Sequence, residues 1–326
     1  KRQVYPRVYK HDYLLVKRDN AAADADSQAV IERILDDPPD LFSQVFALDK
    51  SYPLPDGDTV YLYRRRYRPP DDITAEFFPE LAKTLDNMSH EGDALVVVPP
   101  YLVPLVGQHL EKELAVYALP GSEPPEDRLT EIAATPDRVF AIYGAESAGD
   151  LDRAGRRWLN EYGHRAWDAW SGPTQMVLYG LSPEPERPVI HLVKAEVGES
   201  LILFGYLRPF GPAEAGAILP LTLLWQALEE VDADYKVFVH LVGPDGQMAA
   251  QRDSEPVGGS RPTSTWVAGE PIKDRVGLLL PADLSPGLYE LVVGMYDPTT
   301  LERLPVCDED GNPAGDSIPL GPVEVR

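Results

Sequence analysis

The sequence predicts an α/β region followed by an all-β domain, and three observations support that division. Residues 70–182 alternate apolar runs of strand length with segments of helical spacing. Residues 187–326 instead contain seven short strand candidates separated by turns rich in Pro, Gly and Asp. Two proline clusters, at 68–72 and 182–188, have the composition of linkers and lie where the pattern changes.

We therefore predict three pieces. Residues 1–68 form a partial αβ unit, residues 70–182 form a complete Rossmann-like αβ domain of αβα type, and residues 187–326 form an antiparallel β-sandwich. A length of 326 residues suits two or three such cores.

The middle piece carries the clearest αβ pattern. Ala94–Val98 is a continuous apolar run, which is typical of strands buried on both faces. It is followed by the helix-like Tyr101–Leu110 and the strand-like Leu114–Leu119, which together predict a β-α-β unit. Further elements are expected along this piece: helices at Asp127–Ala134 and from Asp150 to Tyr162, and strands at Val139–Tyr143, His164–Trp170 and Gln175–Tyr179.

The first piece resembles the second half of the middle piece. A strand ending at Val16, a helix over Ser27–Leu35 and a strand pair over Phe46–Arg65 occur in the same order as the last four elements of the middle piece. This weak self-similarity predicts a second, partial copy of the αβ unit, whose start would lie before Lys1.

The bulk composition excludes several functions. The 53 acidic and 30 basic residues give a net charge of −23, which repels nucleic-acid phosphates and anionic lipid, so we expect no nucleic-acid partner. The single cysteine, Cys307, cannot form an internal disulfide. The apolar runs are shorter than the roughly 18–20 residues that cross a bilayer, and the start at Lys1 without a leader favours a piece of a longer polypeptide.

Nucleotide binding is not expected. A phosphate cradle at the end of the first buried strand needs backbone N–H groups, whereas this strand ends in Pro99-Pro100. The chain also contains neither a G-x-G-x-x-G nor a G-x-x-x-x-G-K-[ST] motif.

The segment 237–259 contains the best candidate for polar chemistry. His240, Asp253 and Ser254 are the residue types of a nucleophile triad, and a hairpin around the turn at 244–247 would bring their strands together. No nucleophile elbow supports catalysis, so a structural histidine with surface hydrogen bonds is the alternative. The candidate ligand-binding residues in the sandwich are the members of this hairpin and three aromatics whose rings could stack on sugars: Trp225, His240, Arg252, Asp253, Trp266 and Tyr296.

An acidic segment near the end of the chain is a candidate calcium site. Asp308, Asp310 and Asp316 supply the hard oxygen ligands that Ca²⁺ accepts. The spacing does not match an EF-hand loop, so an acidic turn between two strands is the alternative, and no other cofactor is expected.

Several motifs together resemble a known family. They are Asp56–Arg65, Asp234–Gly243, Gln251–Ser254, Arg261–Trp266, Gly269-Glu270 and Asp297-Pro298. They are similar to the soluble C-terminal regions of bacterial multi-pass membrane glycosyltransferases of the protein-mannosyltransferase and aminoarabinose-transferase type, most strongly over about 219–305.

The resemblance implies a parent enzyme that uses a polyprenyl-phosphate sugar, with its catalytic acidic residues in a transmembrane part that this chain does not contain. It implies no catalytic residue here, a location on the outer face of the cytoplasmic membrane, and the transmembrane part and an acceptor glycan or protein as partners. Two alternatives stay open: a free-standing extracellular binding or scaffold protein with a carbohydrate-binding-like sandwich, and a small-molecule hydrolase that uses His240 and Asp253.

Overall fold

The structure is a computed structural model that describes residues 13–18, 25–36, 42, 46–65, 78–98, 102–107, 109–118, 132, 137–144, 152–172, 174–181 and 189–326. These residues fall into two compact units. The first takes in the described parts of Lys1–Ile132, Phe140–Gly155 and Ala169–Met176, and the second those of Ala133–Val139, Arg156–Asp168 and Val177–Arg326. Both predicted linkers lie outside the described residues, so the three-piece division stays a prediction.

The first unit begins with a three-stranded antiparallel sheet. Its strands are β1 (Tyr13–Lys17), β2 (Phe46–Pro53) and β3 (Thr59–Arg65), in the order β1-β3-β2, and helix α1 (Ala25–Asp36) follows β1 in the chain. Strand alternation and helical spacing bring one small core together, which consists of Val16, Ile34, Phe42 and Phe46 with Leu14, Ile31, Leu35, Tyr61 and Tyr63 packed against it.

The same unit contains a parallel strand pair. Strands β4 (Ala94–Val98) and β5 (Ala115–Ala118) pair in parallel, and the five-residue helix α3 (Val103–Gly107) lies between them in the chain. Helix α2 (Phe78–Met88) precedes β4 and was not expected from the sequence. Its buried residues have helical spacing: Phe78, Leu81, Ala82 and Leu85.

The described residues do not support the predicted Rossmann-like units. The crossover between β4 and β5 contains a helix of only five residues, whereas such units use full-length crossover helices. The N-terminal piece is an antiparallel sheet rather than part of a parallel one. The predicted helix at Asp127–Ala134 lies outside the described residues except for Ile132, and Asp150, the predicted start of the next helix, lies outside them as well.

Four elements contribute residues to both units. They are β6 (Arg138–Tyr143), α4 (Asp152–Tyr162), β7 (His164–Ser171) and β8 (Thr174–Gly180). Their order of strand, helix, strand and strand is the same as that of β1, α1, β2 and β3, as the self-similarity of the sequence predicted.

The second unit contains a β-sandwich, which confirms the predicted architecture of the C-terminal part, whereas its predicted start at residue 187 lies outside the described residues. Its strands are β9 (His191–Val197), β10 (Leu201–Leu207), β11 (Ile218–Ala227), β12 (Lys236–Val242), β13 (Met248–Ser254), β14 (Pro271–Leu279), β15 (Gly287–Tyr296), β16 (Val306–Cys307), β17 (Pro313–Gly315) and β18 (Ile318–Val325). In one sheet these strands are neighbours in the order β17-β16-β9-β10-β11-β14, and β7 continues the sheet by pairing in parallel with β14. The other sheet has the order β13-β12-β15-β18. Strands β9, β16 and β17 were not predicted.

The core of the sandwich lies between these two sheets. Alternate residues of the longer strands point inward, as period-two patterning requires, and both sheets supply large apolar side chains. The inward-facing residues include Leu221, Leu223, Trp225 and Ile272 from the first sheet and Val237, Val239, Leu241, Leu291 and Val293 from the second.

Strand β18 lies at one edge of the four-stranded sheet. Pro319 and Pro322 interrupt its row of backbone donors, because proline has no N–H. Near its C-terminal end, the N–H of Ala213 donates to the carbonyl of Glu324, and the N–H of Arg326 donates to the carbonyl of Ala213.

None of the helices in the described part of the chain has both the length and the apolar character needed to cross a bilayer.

Candidate functional site

A polar and aromatic group lies on the outer face of the four-stranded sheet, opposite the core. We call it the outer-face cluster and define it as Phe238, His240, Asp253, Tyr296 and Arg303. Register explains how it forms: Phe238 is paired with Asp253 on β13 and with Gly294 on β15, so all three residues share one face. His240 is two residues farther along β12 on the same face.

His240 and Asp253 form the centre of the cluster. The Nε2 atom of His240 lies 3.1 Å from Oδ1 of Asp253. The histidine side chain is 8% exposed, whereas that of Asp253 is 38% exposed. The imidazole also packs beside the Phe238 ring, with 4.7 Å between ring centroids. A nearly buried histidine therefore holds a carboxylate that reaches solvent.

The electrostatics of the cluster centre on Asp253. Its hydrogen bond with His240 lowers the pKa of Asp253 below the ordinary value, and a hydrogen bond with Tyr296 and the charge of Arg303 act in the same direction. Partial burial and the adjacent carboxylate raise the pKa of Tyr296. Near neutral pH the cluster thus presents an ionised carboxylate beside a protonated phenol.

Arg303 covers the aromatic part of the cluster. Its guanidinium carbon lies 4.4 Å from the centroid of the Phe238 ring, which is within cation–π range. The guanidinium also pairs with Asp316 at 3.4 Å. Phe238 lies over Gly294, where an added Cβ would overlap its ring. The ring is therefore enclosed between the sheet and the arginine, which itself stays 38% exposed.

The residues of the expected triad do not converge. Ser254 pairs with Val237, and Asp253 pairs with Phe238, so Ser254 and Asp253 point to opposite faces of the sheet. The serine hydroxyl is separated from the His240 pair by the sheet itself. This geometry provides no nucleophile for a hydrolase built on Ser254, His240 and Asp253.

Arg252 is also separated from His240, although it is adjacent to Asp253 in sequence. It pairs with Val239 and therefore lies on the inner face of its sheet. Its Nη2 donates to Oδ1 of Asp168 at 2.7 Å, and Arg165 pairs with the other oxygen of Asp168 at 3.1 Å. The expectation that Arg252 shares a ligand site with His240 and Asp253 is corrected by this placement.

A buried carboxylate, Asp274, completes this inner group. Its Oδ1 accepts the N–H of Val257 at 2.8 Å, and its Oδ2 has no hydrogen-bond partner among the described residues. Val257 has a φ of 52°, and Gly258 and Gly259 also have positive φ, so the carboxylate anchors a left-handed turn. Burial raises the pKa of Asp274 to about 6.

The pKa of Asp168, which is partly buried, shifts in the opposite direction from that of the fully buried Asp274. Burial acts to raise the pKa of Asp168, but the hydrogen bond from Arg252 and the charge of Arg165 outweigh it and hold the pKa below its ordinary value. Neither Asp168 nor Asp274 was singled out from the sequence. For Asp274 a signal existed, because it alternates with Ile272 and Val276 and therefore falls on the inner face of β14.

The predicted aromatic ligands fall into two groups. Trp225 is 1% exposed and Trp266 is 4% exposed, and both belong to the sandwich core. Their rings therefore offer no face to a sugar, and the expectation of exposed stacking rings is corrected for both. The indole N–H of Trp266 donates to the carbonyl of Arg261 at 2.9 Å. Tyr296 alone of the three lies partly exposed, within the outer-face cluster.

The three aspartates of the candidate calcium site are engaged separately. Asp308 accepts hydrogen bonds from the backbone N–H groups of Asp310 and Asn312, at 3.0 and 2.8 Å. These bonds, with that of the Asn312 side chain, hold the pKa of Asp308 below its ordinary value. Asp316 instead pairs with Arg303. The described residues contain no group of three or more potential metal ligands, so these carboxylates do not form a shared site.

Comparisons with known proteins find only weak structural similarity. No protein-family model and no curated protein matches the chain. The crystal structure of the C-terminal domain of Wzt is similar over 44% of this chain and 82% of that chain, with 14% identity and a TM-score of 0.28. A Niemann-Pick type C2 protein from Japanese carpenter ant is similar over 42% of this chain and 99% of that one, with 8% identity and a TM-score of 0.25. These superpositions are too weak to carry an argument about function, and the glycosyltransferase resemblance stays a prediction.

Proposed function

We propose that this chain is an outward-facing, non-catalytic region of a polyprenyl-phosphate-sugar-dependent membrane glycosyltransferase, and that its sandwich helps to recognise the acceptor glycan. The observation that carries the proposal is the outer-face cluster, in which a carboxylate, a phenol and a guanidinium lie together on one sheet face. The parent activity and the outward location are supported by the sequence resemblance.

The solvent-reaching groups of the cluster match the chemistry of sugar hydroxyls. Asp253 accepts hydrogen bonds, Arg303 donates them, and the phenol of Tyr296 can do both. Adjacent hydroxyls of a sugar present donors and acceptors at similar spacing, and each hydrogen bond to a charged group contributes about 1.5–3 kcal/mol. Stacking on Phe238 is not part of the proposal, because Arg303 already covers that ring.

His240 acts in this proposal as a positioning residue. It is nearly buried, and its bond to Asp253 fixes the orientation of the carboxylate. A preoriented acceptor loses less conformational freedom when a ligand binds, which favours affinity.

The outer face offers no hydroxyl or thiol nucleophile to a triad. On the outward-facing positions of β12, β13 and β15, all of which are described, no serine, threonine or cysteine occurs beside His240. A nucleophile triad that uses the His240 and Asp253 pair would therefore need its hydroxyl or thiol from elsewhere.

The glycan part is tested by screening the intact chain on a glycan array and titrating the strongest ligand. Asp253→Asn and Arg303→Gln should each weaken binding by about tenfold, since each removes a charged hydrogen-bonding group. Asp245→Asn and Arg326→Gln make the same chemical changes at exposed positions elsewhere and should leave affinity unchanged. If the two cluster variants bound the glycan as tightly as the two control variants, the outer-face cluster would not be the glycan site.

The accessory role is tested separately. The chain incubated with a polyprenyl-phosphate sugar and an acceptor should give no transfer product, and clear turnover would contradict the proposal. The reading frame upstream of Lys1 should encode membrane-spanning helices. A secretory leader there would favour the free-standing extracellular binding protein instead.

A further inference from the structure

The three-stranded sheet of the first unit has one face in its small core and one face exposed. Register places nine residues on the exposed face, in three rows that each cross β1, β3 and β2. These rows are Tyr13, Arg64 and Ala47; Leu15, Leu62 and Lys50; and Lys17, Val60 and Tyr52. We call these nine residues the N-terminal outer face.

The composition of this face differs from that of the chain. Six of its nine residues are apolar or tyrosine, three are basic and none is acidic. The largest side chains are well exposed: Leu15 by 66%, Tyr13 by 58% and Tyr52 by 46%. Single exposed apolar residues are ordinary, but a contiguous set on one face marks an interaction surface.

The charge of the chain is also distributed unevenly. Residues 1–68 carry 12 basic and 11 acidic side chains, whereas residues 69–326 carry 18 basic and 42 acidic ones. The first part therefore carries a net charge of +1 and the later part a net charge of −24. The composition of the whole chain predicts repulsion from anionic surfaces. This prediction does not extend to the N-terminal outer face, which belongs to the nearly neutral part of the sequence.

From this face we infer a docking surface for an anionic lipid bilayer. Tyr13 and Tyr52 have the amphipathic rings that favour the headgroup region, while Leu15 and Leu62 supply aliphatic surface to the acyl boundary. Lys50 and Arg64 can donate hydrogen bonds to lipid phosphates, and each cation near such a surface strengthens binding about fivefold.

Three acidic residues near the face offset part of its charge, mainly at Lys17. Asp56 and Asp58 lie at the turn between β2 and β3, where they pair with Lys17 at 3.1 and 3.7 Å. Asp49 lies 3.9 Å from Arg64, whose side chain remains 63% exposed. More distant carboxylates are screened, because the Debye length is about 8 Å at physiological ionic strength.

A second copy of the chain fits this face less well. If two such faces met, Lys50 and Arg64 of one copy would oppose those of the other, and the carboxylates beside each face are already engaged with Lys17 and Arg64 of the same copy. A phosphate-bearing bilayer provides the missing negative charge. The inference concerns a different surface from the proposed glycan site and does not depend on it.

The test is flotation of the intact chain with lipid vesicles. Vesicles containing about 30% phosphatidylglycerol should bind the chain more strongly than vesicles of phosphatidylcholine alone, and binding should weaken as salt rises. Leu15→Asp and the double variant Lys50→Glu/Arg64→Glu should each lower the partition coefficient by about tenfold or more.

Matched controls make the same changes at other exposed positions. Leu288→Asp and Lys83→Glu/Arg157→Glu should leave vesicle binding unchanged, and circular dichroism should show that every variant is folded. Absence of binding to either vesicle, or equal losses in the face and control variants, would overturn the inference. So would a dimer in the absence of lipid that Leu15→Asp dissociates, since a second copy would then occupy the face.

Discussion

Two carboxylates of the sandwich show how local surroundings set the chemistry of a residue. Asp253 lies on the outer face with a histidine partner, and its pKa is below the ordinary value. Asp274 lies on the inner face, where burial raises its pKa to about 6. Asp253 belongs to β13 and Asp274 to β14. Only Asp253 is accessible to a ligand from solvent.

Asp274 should make the stability of the protein depend on pH. Its pKa is raised in the folded state, so the unfolded chain releases this proton at lower pH than the folded chain does. The contribution of Asp274 to the free energy of unfolding is therefore most favourable below about pH 4 and falls as pH rises towards about 6.

Asp274→Asn removes this titration. The difference in the free energy of unfolding, variant minus wild type, should increase by up to about 3 kcal/mol between pH 4 and pH 7. Urea unfolding at several pH values measures it. The same substitution at the exposed Asp283 serves as the control for the change of side chain, and a pH-independent difference for Asp274→Asn would contradict the expectation.

At this scale the sequence predicted part of the candidate site. The pairing of His240 and Asp253 follows from a hairpin around the turn at 244–247, and the structure contains it. Arg252 and Ser254 were grouped with them because they are adjacent in sequence, although a shift of one residue in a strand reverses the face. Arg303 could not be predicted, since its place over Phe238 depends on the path of the loop after β15.

At the scale of elements, the pairing of β12 with β15 depends on a glycine. Gly294 faces Phe238 across the two strands, and the aromatic ring occupies the space that a side chain would need. The same ring supports Arg303, so the strand pairing and the outer-face cluster share one packing contact.

Gly294→Ala should therefore disturb both stability and the cluster. The added methyl group forces the Phe238 ring to move, which should cost about 1–3 kcal/mol in the free energy of unfolding and reduce any glycan affinity. Phe238→Leu in the same chain should restore part of the stability, because it removes the overlapping ring.

The matched control is Gly287→Ala on the same strand. A Cβ at that position would lie 3.7 Å from Tyr289, which is ordinary contact, so little change is expected. Equal destabilisation by both substitutions would show that the overlap with Phe238 is not the cause.

Most strands could be predicted because their apolar runs are long and bounded by turn residues. The run Ala94–Val98 coincides with β4. Strand β9 was missed because a positive φ at Lys194 and a shift in register against β10 interrupt its alternation. Strands β16 and β17 have only two and three residues, too few to produce a period.

At the scale of the whole molecule, charge is the dominant electrostatic property. The net charge of −23 places like charges across the surface and opposes the compact state. Raising sodium chloride screens this repulsion, so the free energy of unfolding at pH 7 should rise with salt. Urea titrations at several salt concentrations check this. Sodium chloride is preferable to sulfate, which also strengthens apolar burial.

The comparison condition is a pH near the sequence pI of about 4.6, where the net charge is small. The increase in stability with salt should be much smaller there. A fall in stability with salt at pH 7 would mean that attractive ion pairs outweigh the general repulsion.

The overall architecture was predicted in part. The sandwich followed from regular strand spacing, which is a local signal. The Rossmann-like units were predicted but are not supported. A β-α-β pattern specifies which elements occur, but not the length of the crossover or the direction of neighbouring strands. The N-terminal strands were found at the expected positions, but they pair in antiparallel fashion.

The prolines of β18 have a consequence for crowded solutions. An incoming strand from another molecule would meet missing donors at Pro319 and Pro322 and, at the far end, backbone groups already engaged by Ala213. The addition of strands from other molecules at this edge is therefore hindered. This should help the protein to stay soluble at high concentration.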